Sequence, residues 1–369
     1  MAQRTCAEID LKAIQHNIIA VKRKAEGKEV MAVIKSDAYG HGAVPCAKAL
    51  LGIVDSFAVA TTEEAIELRE SGLSIPILIL GGIPDEEIDL CLQNDISMTV
   101  YSMKMADAVS IEAERLEKTG KIHVAIDTGM SRIGFSPTDE SIDIIKKISK
   151  LNNLFLEGIF THYAKADYAD KSFVKIQDER FRYVCEKLSL DGINIKYIHI
   201  ANSAVIMDFG DCYGNMVRAG IITYGLLPSD EVKKESLDII PALTWKSRVA
   251  FVKEIEQGVG VSYGLTFVAP KKMKLATVSI GYGDGYSRLL SNKGRVLING
   301  KSAKIVGRVC MDQIMVDVTG MDVKVDDVVT LIGRDRNEYI SADEIADIIG
   351  TINYEVVCDI GKRVPRIYK

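Results

Sequence analysis

The stretch Glu29-Val-Met-Ala-Val-Ile-Lys35-Ser-Asp-Ala-Tyr-Gly-His-Gly42 sets a short apolar run against a polar, glycine-containing loop. A run of this length, rich in β-branched residues and closed by turn formers, predicts a strand. Seven more runs of the same kind follow: Ser56 to Ala60, Pro76 to Leu80, Ser97 to Tyr101, Lys121 to Ile126, Leu154 to Thr161, Lys196 to Ile200 and Met216 to Ile222. Segments with helical periodicity lie between most of them, at Thr62 to Ser71, Met103 to Lys118, Glu140 to Lys150 and Lys171 to Leu190. Thr61 with Glu64 forms a capping box at the first of these. Eight βα units in about 230 residues predict an α/β fold, a closed (β/α)8 TIM barrel. The structural alternative is a doubly wound open sheet, but no GxGxxG follows the first strand.

After about residue 240 the texture changes. Strand-like runs dominate, at Ala242 to Lys253, Met273 to Ile280, Arg295 to Ile298, Ala303 to Val309, Ile314 to Val318 and Val328 to Ile332. Asn299-Gly300 between two of them is a hairpin signal. A short helix, Ser341 to Ile349, opens on a second capping box of Ser341 and Glu344. The expectation is a barrel over residues 1–240 and a mostly antiparallel β domain over 241–369. The strand and helix of CAEIDLKAIQHNIIAVKRKA, before the repeat, either pack on the barrel or pair with the second domain.

The chain has 369 residues, 47% of them hydrophobic and 26% charged, which excludes a disordered chain. Forty-six basic against 51 acidic residues leave a net charge of −5, giving no global reason to expect nucleic acid or an anionic membrane as partner. The seven cysteines contain no CxxC pair, so reduced thiols are expected and a zinc site or other metal is not. No apolar run is long enough to span a bilayer, and the first residues lack a signal-peptide core. A cytoplasmic location is the expectation.

In such a barrel the chemistry sits where strands run into βα loops. Lys35 directly follows the first strand. Partial desolvation there makes a lysine a Schiff-base nucleophile, and the bland alternative is a lysine snorkelling from the rim. Tyr39 and two glycines shape the loop after it. Arg132, after Asp127-Thr128-Gly129-Met130, suits a carboxylate clamp, although surface arginines are common. His162, after the sixth strand, is either a base, a ring beside a cofactor or a satisfied structural histidine. His199 lies at the end of the seventh strand, with Asn202 and Ser203 after it; Arg218, Gly220 and Ile221 belong to the eighth. The loops after these last strands are the usual phosphate site of such barrels, which Ser203 and the Gly220–Ile221 backbone suit. A lysine at one rim and a phosphate cradle at another imply a phosphorylated carbonyl cofactor, pyridoxal 5′-phosphate.

The motifs AVIKSDAYGHG, DTGMSRIGF, HIANSA, RAGIITYG, VSYGLTF, SIGYGDGY, GRVCMDQIMVDV and NYEVVC, in this order across essentially the whole chain, resemble the bacterial alanine racemase family, pyridoxal-phosphate enzymes of fold type III. The resemblance implies that Lys35 carries the cofactor and moves the proton on the D face of Cα. It implies that Tyr263 serves the L face and reaches the site from a partner subunit, in a head-to-tail homodimer. It further implies that Tyr39, Ser203, Gly220, Ile221 and Tyr354 hold the phosphate, with His162 and Asn202 beside the cofactor. Arg218 would face the pyridine nitrogen with His199 behind it. Arg132 and the Met311 backbone would bind the substrate carboxylate, and Tyr282 and Asp312 would shape the entrance. Many family members place a carbamylated lysine where this chain has Ala125. A buried Arg132 would then need another anionic partner, a chloride or a side chain.

Rival readings are a serine racemase or broad-specificity racemase of the same architecture, a non-catalytic pyridoxal-phosphate carrier and an amino-acid decarboxylase. Bulky Tyr354 favours a small substrate side chain, and the β domain with Tyr263 argues against a carrier. Supply of D-alanine for peptidoglycan is the implied role.

Overall fold

The computed structural model describes residues 4–209 and 212–369. The chain divides into two compact units. Lys12–Ala38 and Ala43–Pro241 form one; the described residues through Leu11, with Tyr39–Gly42 and Ala242–Lys369, form the other.

Strand β1 (Thr5–Ile9) precedes the barrel. The barrel strands are β2 (Glu29–Val33), β3 (Ser56–Val59), β4 (Ile77–Ile79), β5 (Ser97–Val100), β6 (Gly120–Ala125), β7 (Leu154–Phe160), β8 (Tyr197–His199) and β9 (Met216–Ala219). They pair in parallel in sequence order, and β9 closes on β2 with Met31 opposite Arg218 and Ala32 opposite Ala219. The (β/α)8 barrel predicted from the repeat is the one observed. Its strands are short and buried on both faces, as parallel strands covered by helices must be. The helices Thr62–Glu70, Met103–Arg115 and Asp139–Ile148 start where Thr61, Ser102 and Thr138 accept a hydrogen bond from the backbone N–H three residues on. Three short helices, Ala43–Leu50, Ile88–Gln93 and Ser203–Asp208, were not predicted. They are too brief for periodicity to reveal.

The other unit is built around the long strand β10 (Leu243–Ile255). The remaining strands are β11 (Gly260–Val261), β12 (Phe267–Val268), β13 (Met273–Val278), β14 (Arg295–Ile298), β15 (Lys301–Lys304), β16 (Ile314–Asp317), β17 (Val328–Asp335), β18 (Glu338–Ile340) and β19 (Arg366–Tyr368). The main sheet runs β15-β14-β17-β10-β1-β19, and β13 and β16 extend it from β10. The strand β1 thus pairs antiparallel with β10, Thr5 opposite Ser247, and parallel with β19. Asn299 (φ 54°) and Gly300 (φ 75°) make a two-residue turn with both residues left-handed. That turn suits the strand twist and reverses the chain at once. The following strand therefore begins at Lys301, whereas the apolar pattern predicted Ala303 to Val309. Trp245 fills the core, its ring 5.7 Å from Tyr286 and its indole N–H donated to Thr5 Oγ1 at 3.2 Å.

The seven cysteines are thiols. Among the described residues no helix is long and apolar enough to cross a membrane, and no His, Cys, Asp and Glu group could hold a metal ion.

Candidate active site

Because β2 and β9 are neighbours in register, Lys35 and the Gly220–Ile221 turn leave the barrel side by side at its C-terminal end. His199 ends β8, His162 follows β7, and Arg132 lies in the loop after β6. The backbone just beyond Lys35 is unusual. Ser36, Asp37, Ala38 and Tyr39 have φ of 53°, 51°, 54° and 52°, a left-handed turn without a glycine. Each such residue costs about 1–2 kcal/mol. The turn is held by carboxylates. Glu64 accepts hydrogen bonds from Ser36 N–H (2.6 Å) and Ala60 N–H (2.7 Å), and Asp37 accepts from Ala43 N–H (2.7 Å). Glu64, read in the sequence as a capping residue, therefore clamps the ends of β2 and β3 together. Strain of this kind clusters at functional sites, which makes the lysine beside it a candidate.

Arg218 is buried and donates to five acceptors. They are the carbonyls of His199 (2.8 Å), Thr161 (2.8 Å) and Ile200 (3.2 Å), His199 Nδ1 (2.8 Å) and His162 Nδ1 (3.1 Å). The Phe160 ring stacks on His199 with centroids 5.0 Å apart. Burial, and after it the charge of Arg132, brings the Arg218 guanidinium down to about 10, so it stays cationic at neutral pH. Burial, then the charges of Arg218, Arg132 and Lys35, hold the His162 imidazole well below its ordinary value. His162 is thus a neutral ring among three cations. Such a cluster suits a ligand with two anionic ends.

Donors that suit an anion lie at the same rim. Asn202 caps the helix Ser203–Asp208 by accepting from Val205 N–H at 3.2 Å, and a 3-10 turn starts at Ile221. Gly220 N–H donates to Ser203 Oγ at 3.0 Å, so the hydroxyl hydrogen of Ser203 points elsewhere. Leading N–H groups of two short helical turns plus a hydroxyl are donors in search of an anion.

Arg132 is exposed, and Ala125 is buried. The expected desolvation of Arg132 does not arise within the chain: it stands in a loop open to solvent, where a guanidinium needs no counter-ion.

The other unit gathers a second group. Tyr263 sits on the turn between β11 and β12, 69% exposed. Ser262 before it is left-handed (φ 65°), and its hydroxyl donates to Arg308 O at 2.6 Å. Tyr263, Met311 and Asp312 line one cleft of about 370 Å³ with Ser262, Cys310 and Gln313. Tyr282 N–H donates to Cys310 O at 3.0 Å, placing Tyr282 next to that cleft, and Asp312 is paired with Arg363. Tyr39 and Tyr354 lie in the same unit with ring centroids 6.0 Å apart. A surface cleft of about 590 Å³ beside Lys12–Lys24 contains none of these residues.

Sequence reasoning missed His123, Glu157 and Ser97, which lie buried behind His199. A signal existed: Leu154-Phe-Leu-Glu-Gly-Ile-Phe160 carries a carboxylate inside an apolar strand. Burial holds His123 below its ordinary value and His199 well below it. Unfolding lets both rings titrate normally, so the unfolded chain binds more protons below about pH 6.5, and each ring removes up to about 1.4 kcal/mol of stability per pH unit there. The thermal midpoint is expected to fall from pH 7.5 to pH 5. A flat midpoint over that range would show that these rings accept protons in the fold.

Comparison with known proteins follows the same division. Residues 9–228 match the family model described as alanine racemase, N-terminal domain, and residues 242–368 match alanine racemase, C-terminal domain. The chain is 47% identical over 365 residues to an alanine racemase of Methanococcus maripaludis, covering 98% of each. An alanine racemase of Clostridium tetani is also 47% identical, over 98% of this chain and 94% of that protein. The solved alanine racemase of Clostridium difficile superimposes with a TM-score of 0.96 at 45% identity, covering 100% of this chain and 96% of that one.

Proposed function

The chain belongs to the alanine racemase family, and from that premise we propose that Lys35 and Tyr263 interconvert L- and D-alanine at a pyridoxal 5′-phosphate site. The observation that carries this reading is Arg218: a buried guanidinium on β9, the strand beside the one that ends in Lys35. A guanidinium only donates and keeps its proton at neutral pH. Set against the pyridine nitrogen it leaves that nitrogen unprotonated, which suits simple proton exchange at Cα.

Pyridoxal phosphate, when bound, withdraws electrons from the Cα–H bond of an amino acid attached to it. The donor set fits that group: a lysine for the carbonyl carbon, the Ser203 and Gly220–Ile221 cradle for the phosphate and Arg218 for the ring nitrogen. Tyr39 and Tyr354 add hydroxyls for the phosphate, and His162, His199 and Asn202 frame the ring. Racemisation takes a proton from one face of Cα and returns it to the other, so two groups on opposite faces are needed. Lys35 serves the D face and Tyr263 the L face. Arg132 and the Met311 backbone hold the substrate carboxylate, and Tyr282 and Asp312 shape the entrance.

The exposure of Tyr263, with Leu265, Val268 and Met311 also more than half exposed, supports donation of Tyr263 to a neighbouring copy in a homodimer. The enzyme acts in the cytoplasm and supplies D-alanine for peptidoglycan. A panel of L-amino acids scored for D-product by chiral chromatography tests the substrate. Alanine should exceed serine by at least about tenfold in kcat/KM, since a pocket narrowed by Tyr354 discriminates only modestly against one added hydroxyl. A preference for L-serine would overturn the assignment.

A further inference from the structure

Behind Arg218 the barrel holds a chain of polar groups that the proton transfers do not use. Arg218 Nη1 lies 2.8 Å from His199 Nδ1, and His199 Nε2 lies 2.8 Å from His123 Nδ1. His123 Nε2 lies 3.3 Å from Glu157 Oε2, which also accepts from Ser97 Oγ at 2.8 Å. All five side chains are buried. None of the five acceptors around Arg218 is a carboxylate, yet a buried charge requires compensation.

The donors decide the direction of this chain. A guanidinium can only donate, so His199 Nδ1 is an acceptor and its proton sits on Nε2. That proton is donated to His123 Nδ1, which puts the His123 proton on Nε2, facing the carboxylate. An ionised carboxylate can only accept, so both ends demand the same order. Burial works to raise the Glu157 carboxyl, but the His123 and Ser97 hydrogen bonds and the charge of Lys121 outweigh it and hold it below the ordinary range. The charge of Arg132 acts on Arg218, and that of Lys196 acts on His123. Among the described residues, the buried anion at the end of this hydrogen-bonded chain is Glu157.

The backbone is shaped to put it there. Between β6 and β7 the register slips: Ile122 pairs with Leu156, but His123 pairs with Gly158. Glu157 is the extra residue, a bulge in a parallel pair, where bulges are rare and re-aim a side chain. A Cβ on Gly158 would come within 2.3 Å of His123 Nδ1, so the His123 ring crosses β7 only because residue 158 is glycine.

We propose that Glu157 is a positioning residue for racemisation, which through His123 and His199 supplies the counter-charge of Arg218 and fixes the tautomer that presents Arg218 to the cofactor. This rests on the placement of Arg218 at the pyridine nitrogen. It is tested in the holoenzyme with Glu157→Gln and His123→Asn. The first keeps an acceptor for His123 but removes the charge. The second keeps an amide oxygen for His199 but cuts the link to Glu157.

The chain has only five histidines, so 15N-histidine spectra can be assigned by single substitutions. The wild-type enzyme should show His123 and His199 as neutral Nε2–H tautomers. Both variants should shift the His199 resonances and lower kcat by roughly 10- to 100-fold, with KM within about twofold and cofactor still bound, as for other residues that act through a site's ligands. Unshifted His199 signals in both variants, or a kcat within about twofold of wild type in both, overturn the proposal. Either variant suffices if the other does not fold. Arg218→Lys separates the two readings. An unchanged cofactor absorption spectrum there refutes the placement of Arg218, and the proposal with it. A changed spectrum there with unshifted His199 signals in both Glu157→Gln and His123→Asn refutes the relay alone.

Discussion

Replacing Lys35 with alanine is expected to abolish the visible absorption band of the purified enzyme and to lower racemisation at least about a thousandfold, because a covalent anchor and a proton-transfer group go together. The structure supports placing both roles on one side chain. Lys35 is the last residue before four left-handed residues, and Glu64 and Asp37 pin that turn by hydrogen bonds of 2.6–2.7 Å. A flexible loop would let the amine wander, whereas a turn held against its own preference aims it. Absorption spectroscopy after dialysis and a chiral assay are sufficient. A Lys35→Ala enzyme that retains a wild-type band would remove Lys35 from the anchoring role. Free amines added to that variant should restore part of the rate and not the stable band.

Tyr263→Phe should keep the band and still lose about 10²- to 10⁴-fold in racemisation, the usual contribution of one acid–base group. The exposed position of Tyr263 on the β11–β12 turn makes this a sharp test, since removing one hydroxyl from a solvent-facing ring leaves packing untouched. If the tyrosine serves a partner's site, mixing Lys35→Ala with Tyr263→Phe subunits restores one intact site per hybrid dimer. A one-to-one exchange then recovers about a quarter of wild-type activity, since half the dimers are hybrids with one working site of two. Recovery of nothing, with hybrids shown to form, would place Lys35 and Tyr263 of a single chain at the same site. Normal racemisation by Tyr263→Phe alone would end the two-base reading.

Much of the fold was readable because it rests on local rules. The barrel strands are short apolar runs between turn formers, the helices begin at Thr61, Ser102 and Thr138 with their own caps, and Asn299-Gly300 makes its hairpin by two backbone angles. Lys35, His199, Ser203 and Arg218 were legible as candidates because each sits at or beside a strand end, where a barrel puts its chemistry. Other features left no local signal. Ser36-Asp37-Ala38-Tyr39 contains no glycine, so its left-handed turn is imposed by the Glu64 carboxylate, 28 residues from Ser36, and by Asp37 itself accepting from Ala43 N–H six residues on. Arg132 was expected in a buried setting and is exposed, because the loop after β6 carries it outward.

The sequence by itself determined a barrel followed by a β domain, since periodicity and turn chemistry act over a few residues and need no partner. It also determined which residue types could meet a phosphate, a carbonyl and a carboxylate. The tertiary structure alone decided the company those residues keep. Parallel strands take their register from their neighbours, and a slip of one residue at Glu157 turns a charge in an apolar run into the end of a hydrogen-bonded chain that reaches Arg218. Pairing β9 with β2 likewise set Arg218 beside the strand of Lys35, across more than 180 residues that no local pattern spans.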